Sequence, residues 1–212
     1  MNAVTAQKRR VGTWAVGLLA AAWLVAMALG QKVMLNYDYQ AAAPGSPPAT
    51  WPQNSAIPRT DGLPTVVLVA HPHCPCTRAS IDELARLMAR LHNQATAAVV
   101  FVRPHGLSES WEKTDLWNSA ARIPGVTVLS DADGQEAARF GAQASGQTIL
   151  YGAAGHLLFS GGITASRGHS GDNLGRSTIV SLVATGKAET NHTSVYGCSL
   201  HDPERAERAV AR

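Results

Sequence analysis

The run Val66-Val67-Leu68-Val69-Ala70 is apolar and rich in β-branched residues. It breaks into His71-Pro72-His73-Cys74-Pro75-Cys76 and passes directly into Thr77-Arg78-Ala79-Ser80-Ile81. A buried strand, a turn carrying two cysteines and two histidines, and an amphipathic helix therefore follow one another with no linker. That order restricts the chain to folds in which strands feed helices, and it sets both sulfurs at or just before a helix start.

The placement has a chemical consequence. A thiol becomes a nucleophile only when deprotonated, and the unpaired N–H groups of a helix N-terminus, with about half a positive charge, lower the pKa of a cysteine held there. With Cys74 as N-cap, Pro75 occupies the first helical position, where its missing N–H costs nothing. Arg78 then adds a second positive influence. A later start is also available, because Ser80-Ile81-Asp82-Glu83 reads as a capping box; the cysteines would then lie in the preceding loop and be less activated.

Downstream, Ile81, Leu84, Ala85, Met88 and Leu91 recur at helical spacing, with Asp82, Glu83, Arg86 and Arg90 on the other face. Residues 97–102 form a second apolar strand, completing a βαβ unit. A weaker helix follows on Trp111, Trp117, Ala120 and Ala121, ended by Pro124-Gly125, and then a short strand at 126–129. Residues 131–134 start a helix carrying Ala137 and Phe140. Strands at 147–151 and 156–160 flank Gly152-Ala153-Ala154-Gly155 as a hairpin. The last helix, capped by Asp172 or Asn173, carries Ile179, Leu182 and Val183 inward.

A strand ending in cysteines at the head of a helix resembles the thioredoxin-like superfamily. The run His71-Pro72-His73-Cys74-Pro75-Cys76-Thr77-Arg78-Ala79-Ser80 resembles its membrane-anchored RedB-type branch. A second segment, Asp133 to Ala142, is similar to the corresponding part of thioredoxin-like reductases and redoxins. The resemblance implies an α/β fold with a central mixed sheet flanked by helices over residues 64–185. Two features differ from the superfamily pattern: the cysteines are spaced C-x-C rather than C-x-x-C, and Ala144-Ser145-Gly146-Gln147-Thr148 lacks the proline that usually faces them. The implied topology brings His71, His73, His105 and His169, with Arg103, Arg167 and Asp172, to the cysteine end of the sheet. It sends His92 and His156 to the opposite pole.

Residues 11–30 contain no charged side chain and, as a helix, span about 30 Å, the thickness of a bilayer's hydrocarbon. They read as a transmembrane anchor. Lys8, Arg9 and Arg10 precede it, so residues 1–10 are expected in the cytoplasm and the domain on the periplasmic or other extracytoplasmic side of the inner membrane. Ala26-Met27-Ala28 leaves open a cleaved signal peptide, and either reading exports the domain. Residues 31–63 are rich in Pro and Ala and read as a semi-rigid tether, with Trp51 and Ile57 as its candidates to pack on the domain. Residues 186–212 form a polar tail holding Cys198.

Net charge is +3 with no dense basic tract, which argues against nucleic-acid binding. Three cysteines in 212 residues are too few for a disulfide scaffold, so the close pair points to reactivity. The first functional expectation is a thiol–disulfide oxidoreductase needing no cofactor and acting on exported protein thiols or disulfides. Cys74 attacks and Cys76 resolves, with Arg78, His73, His105, His169 and Cys198 as supporting candidates; Cys198 takes the resolving role if the tail folds back. The small C-x-C ring would make such a disulfide strongly oxidising. The second is copper binding or delivery through Cys74, Cys76, His71 and His73, since thiolates suit Cu(I) and imidazoles add affinity. A thiol peroxidase is a third, lesser option.

Overall fold

The computed structural model describes residues 3–43 and 45–200, with side chains from residue 14 onward. Met1 and Asn2 of the expected cytoplasmic segment, and residues 201–212 of the expected tail, lie outside the described residues. The chain divides into one unit ending at Tyr39 and a second beginning at Gln40.

The first unit is a single helix, α1 (Ala3–Asp38). Its stretch Trp14–Asp38 is long and apolar enough to cross a membrane. Trp14, Leu18, Trp23 and Leu29 all stand exposed on it, as they would toward lipid. The helix runs beyond the expected limit at Gly30 because Gln31 to Asp38 contains no proline to stop it.

The second unit is built on five strands: β1 (Thr65–Ala70), β2 (Thr96–Arg103), β3 (Val126–Ala132), β4 (Gln147–Tyr151) and β5 (Leu157–Gly162). Their order is β3-β2-β1-β4-β5. β1, β2 and β3 are parallel, whereas β4 runs antiparallel to both β1 and β5. β1 is buried along its whole length, as a continuous apolar run in a sheet covered on both faces requires.

Alternation along the strands sorts the core into two layers. Val66, Leu68, Val99, Phe101, Leu150 and Phe159 face α2 (Pro75–Leu91), α3 (Asp115–Ala121) and α5 (Leu174–Thr185). On the opposite face, Val67, Val69, Val100, Ile149 and Tyr151 meet Ala137 and Phe140 from around α4 (Gln135–Arg139). The starts of β1, α2, β2, β3, β4, β5 and α5 fall within one residue of the sequence pattern, but the segment before α3 does not form one helix. It breaks into a 3-10 turn, Glu109–Trp111, and then α3, because Trp111 packs against His71 and His73 and only Trp117 turns to the core, against Phe101.

A five-residue helix cannot cover the second face alone, and the proline-rich segment supplies the remainder. Ser46 N–H donates to Gly141 O (2.9 Å), Trp51 N–H to Gly155 O (2.8 Å), and Leu157 N–H to Ala49 O (2.9 Å). The Tyr151 hydroxyl donates to Pro48 O at 2.9 Å. The Trp51 ring stands edge-on to Phe140 and Tyr151, with centroids 5.0 and 5.2 Å away, and Ile57 is buried. Residues 45–57, expected as spacer, are therefore strapped to the sheet. Trp51→Ala is expected to cost about 2 kcal/mol of stability through lost apolar contact and two edge-to-face pairs, where a free spacer would show no change in denaturant unfolding.

One buried charge ties the first layer together. Glu83 on α2 is fully buried; its Oε1 accepts from Arg86 Nη1 (2.9 Å) and Gly171 N–H (2.8 Å). Its Oε2 accepts from Asn173 Nδ2 (3.1 Å) and Arg176 Nη1. Asn173 is also the N-cap of α5, accepting from Arg176 N–H.

After α5 the chain returns along β5. Ser160 N–H donates to Asn191 O (3.0 Å), and Ser160 pairs in parallel with His192. Gly161 and Gly162 make the approach possible: a Cβ on the first would stand 2.3 Å from Thr193 Oγ1, and on the second 2.5 Å from Ser194 O.

Candidate active site

Cys74 is the N-cap of α2, with extended backbone (φ −87°, ψ 120°) and Pro75 at the first helical position. The later capping-box start is thereby excluded; Ser80 is buried within the helix. A closed set of hydrogen bonds fixes the turn. His71 N–H donates to Ser145 Oγ (2.9 Å), and Thr77 Oγ1 donates to His71 O (3.1 Å). The 2.7 Å contact between the Ser145 and Thr77 hydroxyls is then donated by Ser145. Gly146 N–H reaches Val69 O at 2.8 Å, so the turn and the start of β4 are held as one piece.

The returning tail completes the site. Ser145 N–H donates to Cys198 O (2.8 Å) and Leu200 N–H to Gln143 O (3.0 Å), so residues 198–200 lie as a short antiparallel strand against 143–145. Arg167 Nη1 donates to Gly197 O at 2.9 Å. Gly197 is required by the packing: a Cβ there would fall 1.7 Å from Ser145 O. Cys198 Sγ consequently lies 3.1 Å from Cys74 Sγ. All three cysteines are free thiols, and their sulfurs lie within 4.8 Å of one another. Relative exposures of 3% for Cys74, 6% for Cys76 and 9% for Cys198 make this a sheltered cluster.

The electrostatics separate the thiols. Hydrogen bonding from Cys198, and next from Cys76, drives Cys74 far below the usual thiol range and outweighs the cost of burial. Cys76 moves up: its contact with Cys198 pulls it down, but its bond to Cys74, burial and the neighbouring thiolate charge prevail over that contact and over the Arg167 guanidinium. The two shifts favour ionisation at Cys74 over ionisation at Cys76. Reduced protein is therefore expected to keep one equivalent of ultraviolet thiolate absorbance at about pH 6, well below the ordinary cysteine value of about 8.5, and Cys74→Ser to lose it. Because folding depresses this pKa, the thiolate's contribution to stability is complete above the unfolded value and declines as pH falls toward the folded one.

The supporting residues divide. Cys198 and Arg167 reach the cluster. Arg78 does not serve it: its guanidinium pairs with Asp115 in solvent. His71 Nδ1 accepts from His73 N–H (3.2 Å), His73 Nε2 meets Trp111 O (2.9 Å), and both rings rest on Trp111. His105 is exposed beside Asp133, and His169 Nδ1 lies 2.7 Å from Arg167 O. Among the described residues the group whose ligand atoms lie close enough together to hold a metal ion is Cys74, Cys76 and Cys198, and it includes neither His71 nor His73. The aromatic ring of Trp111 claims both histidines. Sequence reasoning did not single out Ser145, Thr77 or Gly197; a glycine directly before a lone cysteine was the only signal for the last.

Sheet order, strand directions and thiols at the head of α2 together define a thioredoxin-like fold. No family model matches the chain, and no curated protein matches it. Among solved structures, it is similar to an uncharacterized conserved protein from Geobacillus kaustophilus, at 16% identity and TM-score 0.56, over 78% of this chain and 94% of that one. A hypothetical protein from Sinorhizobium meliloti aligns at 17% identity and TM-score 0.57, over 76% and 95%. A secreted Mycobacterium tuberculosis disulfide oxidoreductase homologous to E. coli DsbE aligns at 19% identity and TM-score 0.41, over 58% and 82%. The first two share the fold, and the chemistry rests on this chain's own residues.

Proposed function

We propose that this protein is a membrane-anchored thiol–disulfide oxidoreductase whose domain works outside the cytoplasm on protein thiols or disulfides. The observation that carries the reading is Cys74: an N-cap cysteine beside two further thiols, whose hydrogen bonds lower its pKa. A thiolate attacks a partner's disulfide sulfur, and an adjacent thiol releases the product. The basic residues before the apolar span favour export, and the resemblance of residues 71–80 to the RedB-type branch is consistent with an anchored redox protein.

The test uses the full-length chain in detergent, equilibrated with reduced and oxidised glutathione and quenched with acid. The reading requires reversible two-electron oxidation dependent on Cys74. Thiols that stay reduced across all glutathione ratios would remove it.

A second reading is favoured by the sulfur cluster. Three sheltered cysteine sulfurs with no carboxylate among them suit a three-coordinate Cu(I) ion. Retention of one Cu(I) against a chromogenic chelator, lost in Cys198→Ser and kept in His73→Ala, would support it.

A further inference from the structure

Two thiols stand beside Cys74 Sγ, one from Cys76 close in sequence and one from Cys198 far along the chain. Cys76 sits in the first turn of α2, two residues from the N-cap Cys74, and its sulfur meets Cys74 Sγ as a hydrogen-bond partner within one short, fixed turn. Drawing its sulfur onto Cys74 would disturb the turn bonded from Thr77 N–H to Cys74 O (3.0 Å), together with the His71, Ser145 and Thr77 hydrogen bonds. Cys198 arrives on a separate segment. Its carbonyl is fixed by Ser145 N–H, the preceding carbonyl by Arg167, and the second residue after it by Gln143 O. Its sulfur already lies 3.1 Å from Cys74 Sγ, within the distance at which reacting atoms are poised.

We infer that the working disulfide joins Cys74 to Cys198, with the C-terminal segment 197–200 serving as a tethered arm that carries the second thiol, while Cys76 remains a thiol throughout. The inference rests on the oxidoreductase reading and specifies its second half-reaction. With oxidised glutathione as the partner, the Cys74 thiolate attacks one glutathione sulfur and expels the other half as thiolate, leaving a Cys74–glutathione mixed disulfide. Cys198 then gives its proton to a glutathione thiolate and attacks Cys74 Sγ. The Cys74–Cys198 bond forms, the Cys74–glutathione bond breaks, and the second glutathione leaves. Two cysteines have lost two electrons and two glutathiones have gained them.

The strand pairing also explains how one site takes in both a partner and its own arm. The backbone of residues 143–145 is the platform for residues 198–200. An extended cysteine-bearing peptide would use the same backbone groups once the arm moves aside, and the returning arm would then displace it.

Peptide mapping of the oxidised full-length chain tests this. Cys74 and Cys76 share the tryptic peptide 60–78, whereas Cys198 lies in 188–205. After glutathione oxidation, acid quenching, alkylation and digestion without reductant, the expected product is 60–78 linked to 188–205, with fragmentation assigning the bond to Cys74 and alkylation marking Cys76. A bond within 60–78, or one from Cys76 to Cys198, overturns the inference and leaves the oxidoreductase reading standing; absence of any oxidation removes both. Cys198→Ser should accumulate the Cys74–glutathione adduct. Gly197→Ala, which retains all three thiols but cannot seat the arm against Ser145, should slow resolution of that adduct at least tenfold. Resolution at the unaltered rate in both variants would also overturn the inference.

Discussion

Cys74→Ser is expected to abolish disulfide exchange, lowering the rate with oxidised glutathione by at least about a thousandfold, because a serine hydroxyl is not ionised at neutral pH and forms no stable bond to the disulfide sulfur it would attack. Cys76→Ser should behave differently. Its hydroxyl still donates a hydrogen bond to the Cys74 sulfur, so the rate should stay within about tenfold of the parent, the scale of one hydrogen bond. Stopped-flow measurement of glutathione release separates the variants. Equal loss in both would show that the two sulfurs share the nucleophilic role, against the division set by their opposite pKa shifts.

Glu83→Ala is expected to be the most destabilising single change, costing about 3–5 kcal/mol, the scale for removing one member of a buried ionic group. Four donors converge on this carboxylate, from Arg86, Gly171, Asn173 and Arg176. Without it, Arg176, itself only 18% exposed, loses its buried partner and keeps the solvent-facing Asp172. The loop before α5 and the α5 cap should loosen together. Denaturant unfolding of the full-length chain in detergent would measure the loss, and Glu83→Gln should recover part of it by keeping the acceptor oxygen. A change below about 1 kcal/mol for Glu83→Ala would mean the network is a surface-like ion pair despite its burial.

The parts of this molecule legible in its sequence are those governed by local patterns. A β-branched run followed by Cys-Pro marks β1 and the N-cap of α2, and helical spacing from Ile81 to Leu91 marks the face packed on the sheet. A helix apolar enough to cross a membrane, expected over residues 11–30, follows from hydropathy alone. What escaped is non-local. Residues 45–57 read as spacer because a proline-rich run carries no periodicity; Trp51 and Ile57 do pack on the domain as expected, beside the short α4, but the backbone strapping around them has no local signature. The histidines near the cysteines in sequence turn to Trp111, and Cys198, which could be named as a candidate only on the condition that the tail folds back, comes from 124 residues away. No local signal reports a contact set by the path of a tail.

The same tail has a second effect, through its passage beside β5. A terminal strand ordinarily offers a row of unsatisfied amide and carbonyl groups, on which another molecule's strand can add. Residues 191–195 occupy part of that row, and paired glycines at 161 and 162 leave room for them. Any partner or cleavage that pulled this segment away would therefore uncover unpaired backbone along the sheet margin and the Cys198 sulfur together.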